Sequence, residues 1–185
     1  KPRRRVRDVK PEQMSTAEAD AILEAGTDAA SGMKLQGWKL VALQKKENLE
    51  AYNEVMRQTG ANMPVTNDTP EFMQQLKHKA QAPDAWMLFE APTYILLTYD
   101  RAQGNAMADS ALALGNMMLA AHSLGIGSVW HNFPAKLSHL PEPQAYLKRI
   151  GVPEGHNVYG TLAVGYPADA LPMAPDRKPD IIIKL

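Results

Sequence analysis

From Asp109 to Trp130 the chain reads DSALALGNMMLAAHSLGIGSVW, with no charged side chain between those two residues. Alanine, leucine and methionine favour a helix, and Gly125 stops it before a Gly-Ser-Val-Trp segment suited to a strand. The predicted helix, 106–124, is apolar around most of its circumference. Such a helix demands burial on nearly every side, more cover than one small domain easily supplies from within. An ordinary core helix has the same composition, so the run by itself constrains packing and leaves function open.

Periodicity and breakers predict further helices near 16–25, 47–59, 70–79 and 142–150, and strands at 38–44, 93–99, 127–131 and 158–165. Ser15 to Glu18 forms a Ser-x-x-Glu capping box for the first helix, which ends near Gly26. Thr93 to Tyr99 has a continuous apolar centre, which predicts a strand buried on both faces. Residues 60–70, GANMPVTNDTP, carry the least pattern and read as a mobile cover over a pocket. The terminal Ile181-Ile182-Ile183 is a strand candidate that needs a partner to avoid an exposed apolar edge. Strand order cannot be read from these signals.

The 185 residues can bury one sizeable core, and 45% hydrophobic with 22% charged residues fits a single ordinary domain spanning 1–185. Twenty basic and twenty acidic residues cancel, so broad attraction to nucleic acid or membrane is not indicated. The absence of cysteine removes disulfides, Fe–S ligation and thiolate catalysis within this chain, and the five histidines lack metal-ligand spacing. No apolar run reaches the roughly 18 to 20 residues of a membrane span, and no signal-like segment opens the chain. A cytoplasmic protein is expected, and the opening Lys1 in place of Met suggests a piece of something longer.

The basic residues are local. Arg3, Arg4, Arg5 and Arg7 precede the first helix, and in an extended segment Arg3, Arg5 and Arg7 share one side while Arg4 points elsewhere. Planar guanidinium forks so placed can grip phosphate oxygens, although a solvated basic tail has the same composition. Ala30-Ser31-Gly32-Met33-Lys34-Leu35-Gln36-Gly37-Trp38 is a small-residue loop before a strand, suited to close approach by something flat or charged, or to a plain turn. Near the end come Pro153-Glu154-Gly155-His156, Gly165-Tyr166-Pro167 and Arg177-Lys178-Pro179.

These segments, in this order, resemble the nitroreductase superfamily from Arg3 to Pro179. Arg3 and Arg7 match its Arg-x-Ser-x-Arg/Lys motif, with Arg5 where Ser is usual. Ser31, Gln36 and Trp38 match Pro-Ser-x-x-Asn-x-Gln-Pro-Trp, with Ala30, Lys34 and Gly37 departing from it. Arg177 matches the late arginine of the closing succession, while the basic residue often found two positions earlier is Pro175 here. Lys34 replaces an amide that donates and accepts by a charge that only donates.

The resemblance implies an α+β fold with a central, mostly antiparallel sheet flanked by helices, in an interlocked homodimer. The C-terminal arm, about 172–185, would extend over the partner subunit. It implies FMN as cofactor, with Arg3, Arg4, Arg5, Arg7, Arg177 and Lys178 at the phosphate. Ser31, Gly32, Lys34 and Gln36 would reach the ring across the interface, and Trp130, His131 and Asn132 would line its redox edge. NAD(P)H would supply hydride to the flavin, and a small acceptor such as a nitroaromatic or quinone would receive it. No side chain need form a covalent bond, and the ordinary pKa of histidine near 6.5 would permit His131 to donate a proton. Two other readings stay open: a flavin- or anion-binding protein without NAD(P)H-driven turnover, and a dimeric scaffold whose arginines bind acidic partners.

Overall fold

A computed structural model describes residues 3–171, 173–176, 178–179 and 181–184. Its centre is β2, Thr93–Asp100, in which every side chain from Thr93 to Tyr99 is buried. This strand pairs antiparallel with β1, Trp38–Leu43, on one side and with β4, His156–Gly165, on the other. Strand β3, Gly127–His131, pairs antiparallel with β4, which sets the order β1-β2-β4-β3.

Alternation along β2 sends Tyr94 and Leu96 to one face and Ile95, Leu97 and Tyr99 to the other. The first face is covered by α2, Lys46–Asn62, α3, Glu71–Ala80, α5, Phe133–Leu137, and α6, Pro141–Arg149, which contribute Tyr52, Met56, Ala80, Phe133, Leu137 and Tyr146. The second is covered by α1, Thr16–Thr27, and α4, Ala106–Ser123, through Ile22, Ala113, Leu114 and Met117. Small residues let α4 come close. A Cβ on Gly160 would stand 2.5 Å from Leu114 Cδ1, and one on Gly26 would stand 2.8 Å from Met117 Cγ.

The capping box forms as its spacing predicts, with the Glu18 N–H donating to Ser15 Oγ and the Ser15 N–H to Glu18 Oε2. Other expectations shift. Helix α2 continues through Gly60 to Asn62, because Gly60 packs against Ala80 and Phe133, where a Cβ would stand at 3.1 and 3.2 Å. The chain beyond it is tied back by Lys77 Nζ donating to Met63 O at 2.7 Å, and it does not line the clefts described below. The short α5 gave no signal, since five residues are too few to show a period.

The all-round burial expected of α4 is met on one side only. Within a single copy Met107, Leu112 and Leu119 are 58%, 50% and 60% exposed, and a Cβ on Gly115 would meet nothing within 4 Å. Ile181, Ile182 and Ile183 are likewise exposed and form no strand in the protomer. Among the described residues no helix is long and apolar enough to cross a membrane.

Because Leu96 is wholly buried in the central strand, Leu96→Ala is expected to lower unfolding free energy by about 3 kcal/mol, within the range for core leucines. Urea denaturation measures it, and a loss below about 1 kcal/mol would show that this strand is not packed between two layers.

Candidate functional site

The arginine segment lies along the outer side of β3. Arg5 bridges Ser128 in parallel, the Val6 N–H donates to Ser128 O at 3.1 Å, and the Lys10 N–H donates to Tyr166 O at 2.8 Å. Extended geometry then fixes side-chain direction. Arg4 and Val6 turn inward and are buried, whereas Arg5 and Arg7 are exposed and Arg3 is half-buried. Arg4 Nη1 donates to Arg3 O at 2.8 Å. Arg3, Arg5 and Arg7 therefore share the outer side, and Arg4, also expected at the phosphate, faces away from it.

Tyr166 links this segment to α1, its hydroxyl donating to Glu18 Oε2 at 2.8 Å. The bonds from Ser15 and then from Tyr166 hold the Glu18 carboxyl below its ordinary pKa. Lys178 is exposed, and Arg177 lies outside the described residues.

Arg7 stands between two clefts. The larger, of about 660 Å³, is lined by Arg7, Lys79, Trp86, Phe89 and Glu90 among others. The smaller, of about 300 Å³, includes Arg5, Arg7 and Asp169. The indole N–H of Trp86, in the wall of the larger cleft, is buried and has no hydrogen-bond partner among the described residues. Sequence reasoning passed over Lys79, Trp86 and Phe89. The available signal was an aromatic pair inside the Pro83 to Pro92 connector, where nothing but a turn is needed.

At the far end of β3 consecutive residues part ways. Trp130 packs on the α4 side of the sheet, with its ring 3.1 Å from where a Cβ on Gly160 would lie. His131 faces the opposite side, edge-on to Phe89 at 4.8 Å between ring centroids, and Asn132 is exposed. Thr161 Oγ1 donates to His131 O at 2.7 Å, which uses its only proton. The Tyr94 hydroxyl, 2.7 Å from Thr161 Oγ1, must then be the donor there and the acceptor from His131 Nδ1 at 2.6 Å. This assigns the Nδ1–H tautomer to His131 from the bonding pattern. Burial, and then the Lys79 charge, lower its pKa from 6.5 to about 4. A group neutral at pH 7 has no proton of an imidazolium to give, which argues against the donor role.

The loop before β1 is conformationally unusual. Met33, Lys34 and Gln36 have φ of 51°, 58° and 45°, each a left-handed state that costs a non-glycine residue about 1–2 kcal/mol. The Gln36 N–H donates to Ser31 Oγ at 3.1 Å, and the Gly32 N–H donates to the buried Asp109 carboxylate. Lys34 and Gln36 are exposed, and Ser31 and Gly32 are half-buried.

One protomer does not bring this loop to the arginines. The loop leads into β1 and the arginines flank β3, the two edges of the sheet, three strand spacings or about 14 Å apart. They also sit at opposite ends, since Trp38 aligns with Tyr99 whereas Ser128 aligns with Val164 and so with Thr93. The two groups of expected site residues thus occupy diagonal corners.

Comparison with known proteins supports the grouping of these segments. The sequence model of the nitroreductase family matches residues 1–166. A nitroreductase with bound FMN from Bacteroides fragilis NCTC 9343 is 35% identical with a TM-score of 0.87, over 99% of this chain and 94% of that one. One with bound FMN from Desulfitobacterium hafniense DCB-2 is 26% identical with a TM-score of 0.78, over the same shares. An Archaeoglobus fulgidus protein provisionally named NADH dehydrogenase/NAD(P)H nitroreductase is 27% identical over 167 residues, 90% of this chain and 82% of its own length.

The His131 pKa sets a pH dependence. Its folded value lies below the unfolded one, so its contribution to stability is complete above about 6.5 and is lost as pH falls toward 4. Imidazole NMR signals of His131 should titrate with a midpoint near 4; a midpoint at or above the ordinary value would sink the buried, neutral assignment.

Proposed function

The chain belongs to the nitroreductase family, and we propose that it is an FMN-dependent oxidoreductase passing hydride from NAD(P)H to a small acceptor such as a nitroaromatic or quinone. The observation that carries this reading is Arg7, the end of the outward row Arg3, Arg5 and Arg7, in the lining of a cleft whose aromatic wall holds a buried donor with no partner among the described residues. The cleft of about 660 Å³ suits a ligand of flavin size. The Trp86 N–H, buried with no acceptor among the described residues, suits an acceptor on a ligand, and a flavin is rich in carbonyl and ring-nitrogen acceptors. The FMN-bound relatives support the same reading.

When bound, FMN supplies the hydride chemistry. The chain supplies binding and electrostatics. Arg3, Arg5 and Arg7 would hold the phosphate by charge-assisted bonds, joined by Arg177 and Lys178. Phe89 and Trp86 would give a bound flavin an apolar wall, and neutral His131, locked through Nδ1 to Tyr94, keeps a fixed orientation behind Phe89. Lys34 brings a positive charge that favours an electron-rich ligand.

The diagonal placement of loop 31–36 and arginines motivates a homodimer, in which one copy's loop completes the other's site. The outer face of α4 with Met107, Leu112 and Leu119 is the apolar surface available to a second copy. The exposed isoleucines of the C-terminal arm suit the same role.

Purified protein loaded with FMN and desalted should keep the flavin absorption, and anaerobic NAD(P)H should bleach it. Retention without bleaching would favour the binding protein without turnover, and a colourless protein would refute the cofactor assignment. Arg3→Ala with Arg7→Ala is expected to weaken FMN binding at least about a hundredfold, two charge-assisted contacts being removed. Leu119→Asp should give a monomer by sedimentation and lose FMN on desalting; a monomer that retains FMN would show that the site lies within one copy.

A further inference from the structure

Both ends of loop 31–37 rest on one buried pair, Tyr99 and Asp109. At the front, the Gly32 N–H donates to both Asp109 carboxylate oxygens, at 3.0 and 3.1 Å. Gly32 also lies against the Asn105 side chain, with no room for a Cβ. At the back, Gly37 rests on the Tyr99 ring so closely that a Cβ would stand 2.6 Å from Cε1. The two anchors are joined, because the Tyr99 hydroxyl donates to Asp109 Oδ2 at 2.7 Å.

Asp109 is 4% exposed, and among the described residues no salt bridge reaches it. A buried carboxylate is tolerated when donors engage its oxygens. Here the donors are the loop's own amide and the tyrosine under its far end. Burial and the Asp109 bond both raise the Tyr99 pKa, so its hydroxyl remains the donor.

Between these anchors stand the left-handed Met33, Lys34 and Gln36. Such conformations persist only where the surroundings over-determine them. Met33 is 84% exposed, and Lys34 and Gln36 are exposed too, so burial of their own side chains does not offset the strain.

We propose that Asp109 is a positioning residue for FMN: by gripping Gly32 and Tyr99 together it holds Ser31, Lys34 and Gln36 in the one loop conformation that meets the flavin. This inference rests on the FMN reading. Asparagine at 109 keeps the shape but has a single acceptor oxygen, and its NH₂ would confront a donor. The loop would then be free to relax out of its left-handed turns.

The test is the FMN dissociation constant of the full chain, by flavin fluorescence quenching. The proteins compared are wild type, Asp109→Asn, the loop variant Lys34→Ala with Gln36→Ala, and the three substitutions combined. Asp109→Asn should weaken FMN binding about tenfold or more, the scale of one lost charge-assisted hydrogen bond. The loop variant should also bind weakly, and adding Asp109→Asn to it should cause little further loss. Hydrogen exchange should show faster exchange of amides 32–37 in Asp109→Asn, with β2 still protected. Unchanged affinity in Asp109→Asn overturns the inference, and so does a loop variant that binds FMN normally. Losses that multiply in full overturn it too, since Asp109 would then act by another route. If wild type itself fails to bind FMN, the functional reading falls together with this inference, whereas FMN-binding wild type beside an unaffected Asp109→Asn removes this inference alone.

Discussion

Strand β2 has no wet face. Its side chains are buried from Thr93 to Tyr99, so apolar surface leaves the strand in both directions and each direction needs its own layer. One layer is built from α1 and α4 and the other from α2, α3, α5 and α6. A sheet sandwiched in this way can present ligand sites at its edges and ends, where strands stop and connectors begin. The arginine segment follows the β3 edge and the strained loop precedes the β1 edge.

The proposed homodimer connects that separation with the exposed apolar face of α4. A helix with Met107, Leu112 and Leu119 facing outward is poorly matched to water. In the homodimer proposed above, a second copy covering this face would let the two distant corners converge. Strain in loop 31–37 fits the same picture, because a preorganised loop loses less conformational freedom when it meets a ligand.

Two hydrogen-bonded sets of buried polar groups stand on opposite faces of the sheet. Tyr94, His131 and Thr161 share their protons in one consistent direction beside Phe89, leaving His131 neutral. Asp109 and Tyr99 form the second set beneath the loop. Both depend on β2, since Tyr94 and Tyr99 project from it to opposite faces.

Much of this was legible in the sequence where the cause is local. The capping box at Ser15 and Glu18, the two-sided burial of β2, the alternation that separates Arg4 from Arg3, Arg5 and Arg7, and nearly every helix depend on neighbours within a few residues. Order-dependent motifs added the family and its antiparallel sheet with flanking helices. The cleft wall of Lys79, Trp86 and Phe89 was hidden, because a connector's composition does not say which cavity it borders. The tautomer of His131 depends on partners 30 and 37 positions away, and the Gly32 to Asp109 bond spans 77. The sequence alone therefore determined most of the helices, the four strands of the sheet and which segments carry charge, but not the short α5 or the fate of Ile181 to Ile183. Only tertiary packing decided that the arginines and the strained loop stand at diagonal corners, because strand order and long-range hydrogen bonds are not encoded by any local period.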